Sequence, residues 1–269
     1  MKSKLLLFAV VTGGLVLTGG ALHPLESRLW AAARATQPAL RLDSASAVAG
    51  QGLTFGVLGG FRAIAADFAW VRVYVIWEKR DLPGTEALLQ LVSALDPRPL
   101  YFWVNGARIL AYDMPGWRIA AAGGYDAVPA AQQRRVDVEQ AHLALRRLDA
   151  ALPFHPASAD LWIERANIEL TRLRDVAAAA ASYRRAWEQP NAPYYAARLH
   201  AEMLKRLGRK PEALAWLIQL HPQLPPDDES ACADLVLARI RELERELRVP
   251  AAETYRPPSR QPAAKGRSG

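Results

Sequence analysis

Residues 204–222 read LKRLGRKPEALAWLIQLHP. Two runs with helical spacing of leucine and alanine meet at Gly208, a residue that turns tightly between helices at little steric cost. Ala213 is small, as a residue must be where two paired helices touch. Leu217 and Leu220 are large and lie three apart, so they share the face that fills a core. Pro222 or Pro225 then closes the unit. The stretch predicts the end of one helix, a turn, and a second helix over 210–220.

Helical hairpins this short cannot bury their apolar faces alone, which directs attention to an internal period. Shifting the chain by 34 residues places Pro156 on Pro190, Leu170 on Leu204, Leu173 on Leu207, Ala179 on Ala213, Tyr183 on Leu217 and Ala186 on Leu220. Small positions fall on small ones and large on large.

Residues 156–223 therefore resemble two successive tetratricopeptide repeats (TPRs), at that family's 34-residue length. Ile163 and Ala197 stand where the family usually has Trp, and Asn167 and Ala201 where it has Gly or Ala. Working backwards, Ala144, Leu148, Ala151 and Pro156 keep the second-helix spacing, with helix 99–112 as their first helix (Trp103 and Ala107 at the signature positions) and about 25 inserted residues between. One unit further back lies helix 61–80 with Trp70, followed by Ala87, Leu91, Ala94 and Pro99. The resemblance implies an all-α, TPR-like helical-hairpin solenoid of about four units over 61–249. Helix 228–248, with Arg239, Arg241, Glu242, Glu244, Arg245, Glu246 and Arg248 on a wet face, reads as a C-terminal capping helix.

In this reading the stretch LGGFRAIAADFAWVRVYVIWEKR, residues 58–80, belongs to a water-phase helix buried on several sides. Arg62, Asp67, Arg72 and Glu78 argue against a membrane span, at about 2.5–3.5 kcal/mol for each charge at mid-bilayer. Asp67 and Arg72 are about 140° apart round a helix and do not pair with each other. Arg62, Asp67 and Arg72 are expected to be structural charges with partners on other helices; a docking site for a membrane-proximal partner is the alternative.

Residues 1–22 carry Lys2 and Lys4 ahead of an uncharged run from Leu5 to Leu22, about 27 Å long as a helix. A cleaved signal peptide and an uncleaved transmembrane signal anchor are both open; the length favours the anchor. The positive-inside rule leaves the N-terminus cytoplasmic and the repeat domain exported, on the periplasmic side in a Gram-negative cell. Residues 23–60 read as a short helix, Leu25–Thr36, and a Gly-rich linker. Gly50, Gly52 and Phe55 fail the G-x-G-x-x-G pattern, so no nucleotide site is expected. Residues 250–269 are Pro-rich and basic, and read as a disordered tail.

The net charge is +7, part of it in that tail. A solvated surface explains it, with lipid headgroups or nucleic acid as a weaker option; no nucleic-acid partner is expected. Cys232 is alone, which excludes an intrachain disulfide and a cysteine metal site. The five histidines show no ligand spacing, and no nucleophile elbow or Walker loop occurs. The sequence points to no enzyme, no metal and no cofactor.

A repeat solenoid leaves a concave groove lined by the first helix of each unit. The resemblance places Leu161, Glu164, Ile168, Thr171 and Arg172 there, then Tyr195, Arg198, Glu202, Lys205 and Arg206. Arg172, Tyr195, Arg198, Glu202, Lys205 and Arg206 are the expected partner-binding residues, suited to an acidic or C-terminal peptide segment. The expected role is a membrane-tethered scaffold or adaptor for a protein partner in an envelope assembly, secretion or export system. The alternative is a glycan-binding or enzyme-accessory module with Trp103, Trp117 and Tyr125 lining a sugar site.

Overall fold

A computed structural model describes residues 62–258. The expected anchor at 1–22, the helix at Leu25–Thr36, the linker to residue 60 and the end of the tail lie outside the described residues. The described chain is all-α, with no strand among the described residues. No described helix is long and apolar enough to cross a membrane. The chain forms two compact units that meet in sequence at Pro156–Ala157.

The first unit opens with α1 (Arg62–Glu78), which packs along α2 (Leu82–Leu95). Arg80, at φ 55°, makes the turn between them. The Asp81 carboxylate accepts from the Gly84 N–H at 3.1 Å and Pro83 sits in the first turn, where its missing N–H costs nothing. At the far end of α2, Arg62 donates from Nε and Nη2 to the Leu95 carbonyl at 3.1 and 2.9 Å. One helix thereby caps the C-terminal carbonyls of its neighbour.

α3 (Leu100–Arg108) follows, then a π turn (Ile109–Asp113) and α4 (Met114–Ala121). The sequence predicts an irregular segment over 113–129. Instead the helical path runs on to Ala121. Pro115 has no N–H to return to the preceding turn, and the helix widens immediately before it, so the proline enters the first turn of α4 rather than ending the path. Trp77 Nε1 donates to Asp113 Oδ2 at 2.9 Å beside this point, and Trp117 lies edge-on to Trp77. α5 (Ala130–Ala151) lies against α3 and α4 through Ala141, Ala144, Leu148 and Ala151, all buried.

The second unit is a succession of helices, each packed on the next: α6 (Ala159–Ile168), a π turn (Glu169–Leu173), α7 (Val176–Trp187), α8 (Tyr194–Arg206), α9 (Lys210–Leu220) and α10 (Ala233–Glu246). Ser158 and Asp175 cap α6 and α7 with their side chains. Ala179 and Ala213 are fully buried, and Tyr183, Leu217, Ala186 and Leu220 are buried with them. Alanine at both crossings lets the helix axes approach and the larger side chains fill the space beside them. Val236, Ile240 and Leu243 of α10 close a core with Ala197, Ala201, Leu204, Leu217 and Leu220.

Two expectations are corrected. α1 is buried only through Ala66, Trp70 and Val73; Ile64, Phe68, Val71, Tyr74 and Val75 are exposed. Among the described residues α2 is its main neighbour, with Trp70 and Trp77 reaching α3 and α4 on the same side, so the opposite side of the helix stays uncovered. The described part of the tail is also packed: the Tyr255 N–H meets the Glu244 carboxylate, and the Tyr255 hydroxyl lies 3.0 Å from His221 Nδ1. An aromatic ring seated against Leu-rich core offsets the entropy that the Pro-rich composition would otherwise keep.

Candidate functional site

On α8 an arc of about 100° carries Tyr195, Arg198, Glu202, Lys205 and Arg206. The opposite side, with Ala196, Ala197, His200, Ala201, Met203 and Leu204, is buried. α8 brings five of the six expected partner-binding residues onto one face. The 3-10 turn Glu229–Ala231 and, after it, α10 engage that face. Arg198 Nη1 donates to the carbonyls of Ser230 and Ala231 at 3.0 and 2.8 Å. Lys205 Nζ meets Glu242 Oε1 at 3.1 Å, and the other Glu242 oxygen accepts from Arg239. The hydrogen bonds from Arg239 and then Lys205 hold the Glu242 carboxyl below the usual carboxylate range. Arg206 Nε lies 3.7 Å from Glu202.

The face is therefore a belt of alternating charge with an exposed aromatic, Tyr195, at one end. It is not the bare basic groove that the residue types suggest, because Arg198 and Lys205 already serve acceptors within the unit. On α6, Leu161, Glu164 and Ile168 are buried and line no groove; Thr171 donates back to the Asn167 carbonyl, and Arg172 is half-buried at the end of the π turn.

The three expected structural charges divide. Arg62 caps α2, as described. Asp67 and Arg72 stand exposed on α1 and make no ion pair among the described residues. Near them, the Tyr74 and Tyr101 hydroxyls share a 2.6 Å hydrogen bond, and Trp70 lies against Tyr74, Tyr101 and Phe102.

The aromatics of the glycan alternative do not come together. Trp103 is buried, donates to the Pro97 carbonyl at 2.8 Å, and has Phe154 stacked on its ring and the Arg147 guanidinium 5.2 Å from its centre. Trp117 packs on Trp77, and only Tyr125 is exposed.

Two buried polar groups escape a reading of the sequence. Arg147 donates from Nη2 to Ser93 Oγ at 2.7 Å and to the Phe102 carbonyl at 3.0 Å, while its Nε has no partner. Burial pulls its pKa down to about 10. The signal was its spacing: Arg147 sits between Ala144 and Ala151 on the core side of α5, where its neighbours are alanine and leucine. Gly106 lies under the guanidinium and leaves it room. His200 places Nδ1 2.8 Å from the Ala180 carbonyl, under the Trp216 ring. Burial lowers its pKa, and Arg184 and Arg209 add to the effect.

Among the described residues no group of His, Cys, Asp and Glu is placed to hold a metal ion. No protein family, curated protein or solved structure matches the chain.

Proposed function

We propose that the chain is a TPR-like helical-repeat scaffold, tethered to a membrane by its N-terminal segment, that holds a protein partner. The observation that carries this reading is the recurrence of one construction in the second unit. Arg174 and Gly208 both adopt the left-handed conformation, and Ala179 and Ala213 follow each by the same five residues, fully buried. Stacked helix pairs of this kind spend their apolar surface on each other and leave one face of the first helices for binding. On this chain that face is the α8 belt with its border on α10, where Tyr195 supplies apolar area and Glu202, Arg206 and Arg239 supply charges of both signs. A peptide segment of mixed charge matches it better than a uniformly acidic one.

The test is site-specific photo-crosslinking in cells making the full chain, with the photoreactive residue at Tyr195 or at Arg206. A discrete protein adduct at both positions, absent when the probe stands at Ala177 on α7, is the expected result. Adducts that do not differ between these positions, together with glycan capture by the same protein, overturn the scaffold reading. The mass of the mature N-terminus tests the tether: retention of residues 1–22 is expected, and loss of them removes it.

A further inference from the structure

We propose that the outward face of α1 is the seam of a parallel, two-fold dimer of this chain. At about 100° per residue, Ile64, Phe68, Val71 and Val75 fall within roughly 60° of one another. That strip lies nearly opposite Ala66, Trp70 and Val73, which pack into the first unit. The four side chains are 52, 72, 59 and 38% exposed. Intervals of four, three and four residues form the a/d pattern of a two-helix seam, with Phe68 and Val75 at a and Ile64 and Val71 at d. Four large apolar groups in a line three turns long are too ordered for chance exposure on a surface helix, and water opposes leaving them bare.

The charges identify the occupant. In this register Asp67 takes a g position and Arg72 an e position, one on each edge of the strip. In a parallel pair, a g residue faces the e residue five positions further along the other helix. Asp67 of each copy then meets Arg72 of the second copy, twice by symmetry. The five-residue spacing that keeps the two from pairing within one helix is the spacing that pairs them between two. An antiparallel self-pair runs g beside g and e beside e, so Asp67 and Arg72 fall on opposite sides of the seam and neither finds an opposite charge. An anionic leaflet attracts Arg72 but repels Asp67 and Glu78, so it does not satisfy the charges on both edges as a second copy does. Glu78 falls at the next d position and ends the seam.

α1 needs no folding on association, since α2 already holds it, so the usual ordering cost of a short coiled coil is absent. The seam is short against the roughly 1,200–2,000 Å² of a standard interface, and a dimer in the micromolar range is the expected strength.

The test uses the full chain in detergent micelles. Sedimentation equilibrium should show a reversible monomer–dimer system. Val71→Asp should leave it monomeric at unchanged helix content, because Val71 touches solvent and not the core. Asp67→Arg alone and Arg72→Asp alone should each weaken the dimer several-fold, and the two together should restore it. In a Cys232→Ser background, Val71→Cys should close a disulfide-linked dimer on mild oxidation, since a d position faces itself across a parallel seam; Ala177→Cys should not. A dimer that survives Val71→Asp is held elsewhere and overturns the proposal. So does failure of the double charge reversal to restore association. A wild-type monomer overturns it too; if the Val71→Cys thiol then resists alkylation, another segment of the same chain covers the face.

Discussion

Arg174 and Gly208, thirty-four positions apart, hold the same left-handed backbone, with φ of 60° and 76°. Each turns the chain from one helix into the next, and each is followed by a hydrogen bond that closes the turn. The Arg209 N–H reaches the Leu204 carbonyl, whereas the Asp175 N–H reaches one residue further, to Glu169, both at 2.9 Å. The π turn over Glu169–Leu173 takes up that difference. A non-glycine residue in this conformation carries a steric cost of about 1 kcal/mol that glycine does not.

Arg174→Gly should therefore stabilise the second unit by up to about 1 kcal/mol, and Gly208→Ala should destabilise it by a similar amount. Urea unfolding midpoints of the two variants against wild type check this. A loss of stability in Arg174→Gly means that the arginine side chain contributes more than its backbone strain costs.

Gly106 and Arg147 make a second coupled pair. A methyl group at residue 106 runs into the guanidinium, so Gly106→Ala should cost about 1–3 kcal/mol. Arg147→Ala should cost as much or more, because it empties a buried site and removes the side-chain donor to Ser93 Oγ and the Phe102 carbonyl. The double variant should be less damaged than the sum by about 0.5–3 kcal/mol. Strict additivity in a denaturation cycle contradicts the contact.

His200 sets a pH dependence. Its folded pKa lies below the ordinary histidine value, first because burial disfavours the charged ring. The unfolded chain therefore binds the proton more readily than the folded one. The contribution to stability is complete above the unfolded value of about 6.5 and is lost as pH falls from there through the folded pKa. Thermal midpoints between pH 8 and pH 5 should fall more steeply for wild type than for His200→Gln. Parallel curves show that His200 is not the titrating group.

Arg198 and Tyr195 share the α8 face but should separate in their effects. Arg198→Ala frees the Ser230 and Ala231 carbonyls; a cost of about 1–2 kcal/mol is expected, with faster hydrogen exchange over residues 229–236. Tyr195→Ala, at an exposed position, should change stability by less than about 0.5 kcal/mol and still abolish crosslinked adducts at Arg206. Equal loss of stability in both variants would make Tyr195 a packing residue.

The sequence alone determined where helices begin and turn. Asp81, Ser158 and Asp175 are caps because a short polar side chain satisfies the free N–H groups of a first turn. Gly208 turns the chain because it lacks a Cβ, and Ala179 and Ala213 mark helix crossings because nothing larger fits there. These are local or nearest-neighbour requirements, and they leave a mark on residue type. Pro115 and α1 could not be read the same way. Whether a proline breaks a helical path or enters its next turn depends on whether neighbours such as Trp77 and α5 hold the widened turn in place. In α1 both faces are apolar, so periodicity cannot say which one faces the rest of the chain. Only the packing of α2 and α3 on the side of Ala66, Trp70 and Val73 decides it, leaving Ile64, Phe68, Val71 and Val75 outside. Arg198 likewise has the composition of a groove residue, and the fold spends it on two carbonyls thirty-odd residues away. Hydrogen-bond acceptors that distant have no signature in local spacing, because tertiary structure alone brings them within reach.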